Sequence, residues 1–331
     1  MILFLEGQAS QREVIQGARR ALPSSIKVYA SHHQDRPEIT SQADVAWREP
    51  AKASDRVDWA LDKAITHGIK VVHAGRKADI YEERRNEFSA NGIALVTGAR
   101  SIDTFRIENK DVFTRDCDAA GLRCVPAIMV QTAEELAQAY ATLTSGGDPV
   151  CVKPVTGIYG QGFWRLEDGL SPIRCLANPD DRRVNASTFI DLYQRSDERE
   201  PLLVMPYLAN DEVSVDIVCE GGNPIAWVGR RKSGLYQMFE RSGPAIQLAL
   251  AAIAHFDCDG IVNVQTMDDA DGVPHLLEIN LRYSGGLSYT GLSGTNLPGI
   301  FAARRLGIEP PAAEWREGVR IKPTTAGILV E

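Results

Sequence analysis

The chain has 331 residues, 44% of them hydrophobic and 24% charged, which excludes a mostly disordered, collagenous or coiled-coil protein. That length corresponds to roughly two domains. Thirty-six Lys and Arg against 44 Asp and Glu give a net charge of −8. This argues against nucleic acid or an anionic membrane as the main partner, while leaving room for a small phosphate ligand held by local cations.

The opening run Met1–Leu5 is apolar but stops at Glu6, lacks a basic leader and is too short for a signal peptide. No later run reaches membrane-spanning length; the longest, Ala245 to Phe256, contains Gln247 and His255 and reads as a packed helix. Six cysteines without a CxxC pair are expected to be free thiols in a reducing compartment, so a cytoplasmic location is expected.

Strand-like and helix-like segments alternate over the first hundred residues. Ile2–Leu5 is a strand, Gln11–Leu22 a helix with Val14, Ile15, Ala18 and Leu22 at helical spacing, and Ile26–Ala30 a second strand. A helix over Trp59–His67, a strand over Ile69–Val72, a helix over Ile80–Ala90 and a strand over Ile93–Val96 follow. The alternation predicts a parallel α/β layer. The turn after the first strand, Glu6-Gly7-Gln8-Ala9-Ser10, carries no GxGxxG, which argues against a dinucleotide site.

From about Ile102 the rhythm changes. Lys110–Ala120 is helical up to Gly121, Val125-Pro126 leads a strand, and Thr132-Ala133-Glu134-Glu135 opens a helix with a capping box. The charged, proline-punctuated stretch Ser171–Glu200 is expected to form excursions outside the core. Apolar strands return near Leu202, Ser242-Gly243-Pro244 starts a helix to Phe256, two strands follow, and the last helix ends near Gly307. The tail from Glu309 has no assignment.

Three segments carry candidate chemistry. In Leu276–Arg282, Ile279 and Leu281 face one way and Glu278, Asn280 and Arg282 the other. Side chains two apart on a strand stand about 7 Å apart at their backbones, close enough to share a metal–phosphate cluster. A carboxylate and an amide oxygen are hard ligands suited to Mg²⁺, and an arginine beyond them can grip phosphate. The competing reading is a half-exposed strand with a solvated face; the flexible Ser284-Gly285-Gly286 that follows favours a ligand. One strand earlier, Gln265 reaches the same cavity in one register and faces away in the other.

The second segment places Lys153, on the strand Val150–Pro154, ahead of a loop with Gly157, Gly160 and Gly162. Ammonium and bare N–H groups can cradle phosphates there, although no Walker motif closes the loop and a simple glycine-rich hairpin fits as well. The third is Leu202–Leu208 followed by Asp211–Asp216. Apolar backbone around Met205, Pro206, Tyr207 and Leu208 can receive an adenine ring and Glu212 can accept from ribose hydroxyls; two strands around a tight turn is the plainer alternative.

In this order and spacing the segments resemble the ATP-grasp superfamily, in particular its carbamoyl-phosphate-synthase-like branch of carboxylate–amine ligases. Glu278-Ile279-Asn280-Leu281-Arg282 is similar to the EINPR signature, and Ser284-Gly285-Gly286 and Gly294-Thr295-Asn296-Leu297-Pro298 continue it. The resemblance spans nearly the whole chain. It implies an α/β and α+β architecture: a Rossmann-like pre-ATP-grasp domain over 1–101, then a two-lobed ATP-grasp domain over 102–331. Within the latter, a lid lobe covers about 121–204, a C-terminal catalytic lobe about 205–308 and a tail 309–331.

It also implies ATP with Mg²⁺, or Mn²⁺ in its place, as cofactors. Gln265, Glu278 and Asn280 would hold the metal, and Arg282 would stabilise the transferring phosphoryl group. Lys110 and Lys153 would bind phosphates, with Gly157, Gly160 and Gly162 closing over them. Met205–Leu208 would be the adenine linker and Glu212 the ribose contact. Lys232, in Gly229-Arg230-Arg231-Lys232, is a weaker candidate for a phosphate or substrate contact. Leu281 replaces the proline of the signature, and Met205-Pro206 replaces the acidic residue of the linker.

The expected activity is an ADP-forming ligase that activates a small carboxylate as an acylphosphate for attack by an amine, with no membrane or nucleic-acid partner. A homodimer through the first domain is the oligomer such ligases suggest. The rivals are a non-catalytic ATP-binding sensor and a nicotinamide-dependent dehydrogenase.

Overall fold

The computed structural model describes residues 1–7, 10–147, 149–155, 160–197 and 199–324. Three sheets organise them. The first holds β1 (Ile2–Phe4), β2 (Val28–His32), β3 (Val45–Arg48), β4 (Val71–His73) and β5 (Ala94–Val96), all parallel, in the order β3-β2-β1-β4-β5. Every residue of β1, β2 and β4 is buried, as expected of parallel strands covered on both faces. β3 alternates between half-buried and exposed at the sheet edge, which is why it left no apolar run in the sequence.

Contacts divide the chain into two compact units. One comprises Met1–Phe105, Asp211–Thr266 and Glu278–Glu331; the other comprises Arg106–Asn210 and Met267–Leu277. The first hundred residues therefore share a unit with most of the C-terminal region, because one hydrophobic core serves both. Ile2, Phe4, Val14 and Ile15 lie in the same buried cluster as Val218, Val228, Ile261, Leu297 and Phe301.

In this core helix Gln11–Ala21 packs directly against helix Leu297–Arg305. A Cβ on Gly17 would stand 2.7 Å from Asn296 Oδ1 and 2.8 Å from the Pro298 side chain, so only glycine admits the packing. Asn296 caps its own helix by accepting from Gly299 N–H (3.1 Å), and its Nδ2 donates to the Gly17 carbonyl (2.9 Å). The Gly294–Pro298 motif is thus a structural joint in this protein.

The second unit is built on β6 (Ile128–Val130), β7 (Val150–Pro154), β8 (Trp164–Glu167), β9 (Arg183–Asn185) and β10 (Leu202–Pro206), ordered β6-β10-β7-β8-β9. The capping box of Thr132 and Glu135 forms as its sequence indicates. The expectation that Ser171–Glu200 stays outside the core is corrected here. β9 pairs in parallel with β8, and Val184, Ala186 and Tyr193 are buried in the unit's own core. The charged residues around them, such as Asp180, Asp181, Asp191 and Arg195, are exposed and mask this pattern in the sequence.

The third sheet contains β11 (Glu212–Glu220), β12 (Asn223–Ser233), β13 (Tyr236–Glu240), β14 (Gly260–Asp268), β15 (Pro274–Asn280) and β16 (Arg320–Ile321). Its order is β15-β14-β11-β12-β13-β16. The tail, without assignment from the sequence, closes this sheet through β16 against β13. On the way, Glu314 N–H and Arg316 N–H donate to the carbonyls of Gly294 and Ser293. The single helix expected over Ile80–Ala90 is two, Ala78–Glu82 and Arg85–Ala90. At the break Arg85 turns to the Leu95 carbonyl (2.7 Å) and Thr97 (2.8 Å) while pairing with Glu82. All six cysteines are free, and among the described residues no helix is long and apolar enough to cross a membrane.

His73 ends β4 inside the first unit's core, against Phe4, Tyr283 and Phe301. Its Nδ1 has no hydrogen-bond partner among the described residues. Burial, followed by the charge of Arg305, pushes its pKa down to about 4. The unfolded chain therefore binds a proton that the folded one refuses. Stability should fall as pH drops from about 6.5 towards 4, by up to about 1.4 kcal/mol per pH unit from this group, and level off below. Urea unfolding at pH 7 and pH 5 should show a smaller difference for His73→Leu than for the parent; equal differences would remove His73 from the account.

Candidate functional site

In the first unit, strand alternation gathers polar side chains on one face of the third sheet. β11 and β12 pair with Glu212 opposite Lys232, Ser214 opposite Arg230 and Asp216 opposite Val228. The alternate positions Val213, Val215 and Ile217 are fully buried apolar residues. The polar stripe has two tiers.

The outer tier centres on Glu212. Its Oε1 accepts from Lys232 Nζ (2.5 Å), Gln265 Nε2 (3.0 Å) and Ser214 Oγ (3.0 Å). Glu212, Lys232 and Gln265 are thus brought together, with Gln265 on the Glu212 side of the sheet. With its nitrogen donating to Glu212, the Gln265 amide keeps its oxygen for another partner. Lys232, a weaker candidate in the sequence, is tied to the residue expected to contact ribose.

The inner tier centres on Asp216, which is fully buried. Its Oδ2 accepts from Arg230 Nε (2.8 Å), and its Oδ1 accepts from Ser284 Oγ (2.7 Å) and Asn263 Nδ2 (3.0 Å). Arg230 is itself only 2% exposed. It donates further to Ser284 Oγ (2.9 Å) and Gln237 Oε1 (3.2 Å). The sequence places Asp216, Arg230 and Ser284 inside candidate stretches but gives none of them a role of its own, and it gives none to Asn263 or Gln237. A charged residue at every second place of a strand reads there as a solvated face, and only the fold shows that it is covered.

Glu278, Asn280 and Arg282 form a ladder. Asn280 Nδ2 donates to Glu278 Oε1 (3.0 Å), and Arg282 donates through NH1 to Asn280 Oδ1 (3.0 Å). The three side chains therefore stand on one side of the chain, as their spacing predicts. A carboxylate and an amide oxygen two residues apart, with the Gln265 amide on the neighbouring strand, are an all-oxygen donor set that fits Mg²⁺ or Mn²⁺ and not a soft metal.

The second unit holds the other candidates. Lys153 lies on β7 opposite Leu203 of β10, and Met205 and Pro206 pair with Cys151 and Val150. Lys110 starts helix Lys110–Ala119, capped by Asn109, and its N–H reaches the carbonyl of Val155, two residues beyond Lys153 (3.5 Å). Burial pushes the Cys151 thiol up to about 12, with the charges of Lys153 and Arg165 opposing. At the linker, Tyr207 N–H donates to Pro149 O (2.6 Å), and the Arg165 guanidinium lies over the Tyr207 ring, 4.1 Å from its centroid. Met205 is 5% exposed, so its side chain is closed off from solvent. Gly160 and Gly162 take positive φ (65° and 71°), and a Cβ on Gly162 would stand 2.6 Å from Pro154. Gly157 lies outside the described residues.

A further polar cluster, unrecognised in the sequence, stands beyond the ends of β1 and β2. Glu6 Oε2 contacts His33 Nδ1 (2.6 Å) and Arg56 (2.9 Å), while Glu49 accepts from Glu6 N–H (2.7 Å) and Ser31 (2.8 Å). Burial raises the Glu49 carboxyl above its usual range. Ligand atoms of Glu6, His32 and His33 lie within 4.8 Å of one another, but this set does not suit a metal. Arg56 already matches the Glu6 carboxylate, and His32 Nδ1 accepts from Gln34 N–H (3.0 Å).

The comparisons with known proteins concern the fold. The family model described as ATP-grasp in the biosynthetic pathway with Ter operon matches residues 198–326. N5-carboxyaminoimidazole ribonucleotide synthetase in complex with ADP superposes with a TM-score of 0.66 at 17% identity, over 95% of this chain and 78% of that one. The fold is the ATP-grasp fold. The biotin carboxylase domain of 2-oxoglutarate carboxylase from Hydrogenobacter thermophilus, bound to MgADP and bicarbonate, matches at TM-score 0.66 and 16% identity, over 94% of this chain and 71% of that one. L-amino acid ligase from Bacillus licheniformis matches at TM-score 0.63 and 14% identity, over 95% and 77%. A sequence search of curated proteins finds no match.

Lys232 and Glu212 are 38% and 22% exposed, so water and salt screen their attraction. A double-mutant cycle with Lys232→Met and Glu212→Gln should give a stability coupling of about 0.5–1 kcal/mol that shrinks in high salt. A larger, salt-insensitive coupling would mean that the pair is desolvated.

Proposed function

We propose that this ATP-grasp chain is an ATP- and Mg²⁺-dependent ligase acting on a small-molecule carboxylate and an amine or similar nucleophile. The observation that carries this reading is the Glu278–Asn280–Arg282 ladder, in a fold whose solved relatives include ADP complexes. Glu278, Asn280 and Gln265 would hold Mg²⁺, which when bound neutralises phosphate charge. Lys153 and Lys110 would contact the phosphates, with Gly157, Gly160 and Gly162 closing over them. Backbone of Met205, Pro206, Tyr207 and Leu208 would receive adenine, with Pro206 O as acceptor because Tyr207 N–H is already engaged. Glu212 would accept from ribose, and Lys232 would orient Glu212.

In the reaction, a carboxylate oxygen attacks the γ-phosphorus, the bond to the β-phosphate oxygen breaks, and ADP leaves. The nucleophile then attacks the acyl carbon, loses a proton, and phosphate departs. Both steps need positioning and charge neutralisation more than a protein nucleophile. Lysines, an arginine and oxygen ligands supply those. Arg282 would meet the charge that develops on the transferring group. The match to biotin carboxylase and L-amino acid ligase folds makes bicarbonate and amino acids the first carboxylates to try.

The test is incubation with Mg-ATP, hydroxylamine and pooled carboxylic acids, following ADP and hydroxamate together. Hydroxamate should depend on one pool and fall at least about 100-fold in Glu278→Ala. ATP bound without turnover on any pool, and binding indifferent to Glu278→Ala, would favour a sensor instead. Lys153→Met should raise KM for ATP by about 10- to 100-fold, the scale of a lost charge-assisted phosphate contact. An unchanged KM would take Lys153 out of the phosphate site.

A further inference from the structure

We infer that Asp216, Arg230 and Ser284 are positioning residues that anchor the turn after Arg282 and thereby fix the orientation of Arg282. This rests on the ligase reading above, in which Arg282 meets the transferring phosphoryl group.

The Asp216–Arg230 pair is almost completely removed from water. Burying two charges costs most of what their attraction returns, so such a pair adds little net stability for its burial and is better judged by what it specifies. Here it specifies one turn. Both partners converge on Ser284, whose hydroxyl donates to Asp216 and accepts from Arg230. Ser284 is two residues beyond Arg282, the last rung of the ladder. The backbone of the same residue is held from the other side, where Ser10 Oγ donates to the Ser284 carbonyl (2.8 Å).

Gly286 supplies a second contact. A Cβ there would stand 2.2 Å from Arg230 NH1 and 2.4 Å from its Cζ, so the guanidinium lies directly against the glycine backbone. Arg230 cannot swing aside without breaking its bond to Asp216. Gly7 makes a similar demand on the neighbouring Tyr283, whose hydroxyl occupies the space a Cβ on Gly7 would need. The turn is therefore gripped at Tyr283, Ser284 and Gly286 by strands β11 and β12 and by the segment after β1. Small displacements of a group that meets a transferring phosphoryl are costly, since about 1 Å of misplacement can lose about 100-fold in rate.

The full chain should be studied as Ser284→Ala, Arg230→Gln, Gly286→Ala and the double variant Arg230→Gln/Gly286→Ala. Two readouts are needed beside Tm. Hydrogen exchange of the peptide spanning 282–287 should quicken in Ser284→Ala and Arg230→Gln, with the rest of the chain unchanged. In the ADP-release assay kcat should fall by about tenfold in Ser284→Ala while KM for ATP stays within about twofold, the pattern of an interaction needed in the transition state. The double variant should be no worse than Arg230→Gln alone, because the clash of the added methyl is with the guanidinium that has been removed.

Unchanged exchange at 282–287 overturns the anchoring. Quickened exchange with a lower Tm and unaltered kcat shows the cluster to be structural only, and overturns the inference equally. Absence of carboxylate-dependent ADP release in the parent protein overturns the ligase reading itself, and with it the link to Arg282. The exchange experiment then still decides whether the turn is anchored.

Discussion

The two-residue repeat of the β-strand is the constraint on which the site depends. On β11 it places Glu212, Ser214 and Asp216 on one side and Val213, Val215 and Ile217 on the other. Pairing with β12 brings Lys232 and Arg230 to the same polar side, and β14 adds Gln265 and Asn263. One repeat thus sorts both tiers, and depth along the strands separates their roles. Glu212 and Lys232 remain in contact with water. Deeper in, Asp216 and Arg230 are closed off and can only hold one arrangement.

A shared core explains why this sheet cannot be treated apart from the first hundred residues. Gly17 lets helix Gln11–Ala21 approach the Asn296 cap closely, and the same cap starts helix Leu297–Arg305, whose Leu297 and Phe301 share the buried cluster with Val218 and Val228 of the sheet. The turn after Arg282 sits where these parts meet, held by Ser10 and flanked by Gly7. The segment after β1 thereby has a structural stake in the geometry of the turn that follows Arg282. Its Glu6 belongs to a cluster with His33, Arg56 and Glu49 whose members partner one another.

The two units divide the candidate ligands by chemistry. The first carries the oxygen donors and Arg282; the second carries Lys110, Lys153 and the apolar backbone of β10. Within the second unit Lys153 gains its place from the strand pairing of β7 with β10, so Lys153 and Met205-Pro206 are positions on one antiparallel ladder. A change in that register would move both together.

Much of this was legible in the sequence because it depends on local spacing. The alternation of strands and helices, the capping box at Thr132 and the one-sided set Glu278, Asn280 and Arg282 follow from periods of 3.6 and 2 that need no knowledge of neighbours. The resemblance to ATP-grasp signatures added the expected partners of those residues. What the sequence left open depends on which surfaces are covered. Asp216 and Arg230 look like ordinary exposed strand charges until the sheet is packed. Gly286 and Gly17 look like flexible points until the guanidinium and the Asn296 cap are seen against them. The burial of Val184 and Tyr193 was hidden by charged neighbours, and Gln265 could not be oriented without its register. Local spacing determined which side chains share a face. Only tertiary packing decided which of those faces water can reach, and hence which charges bind and which merely hold.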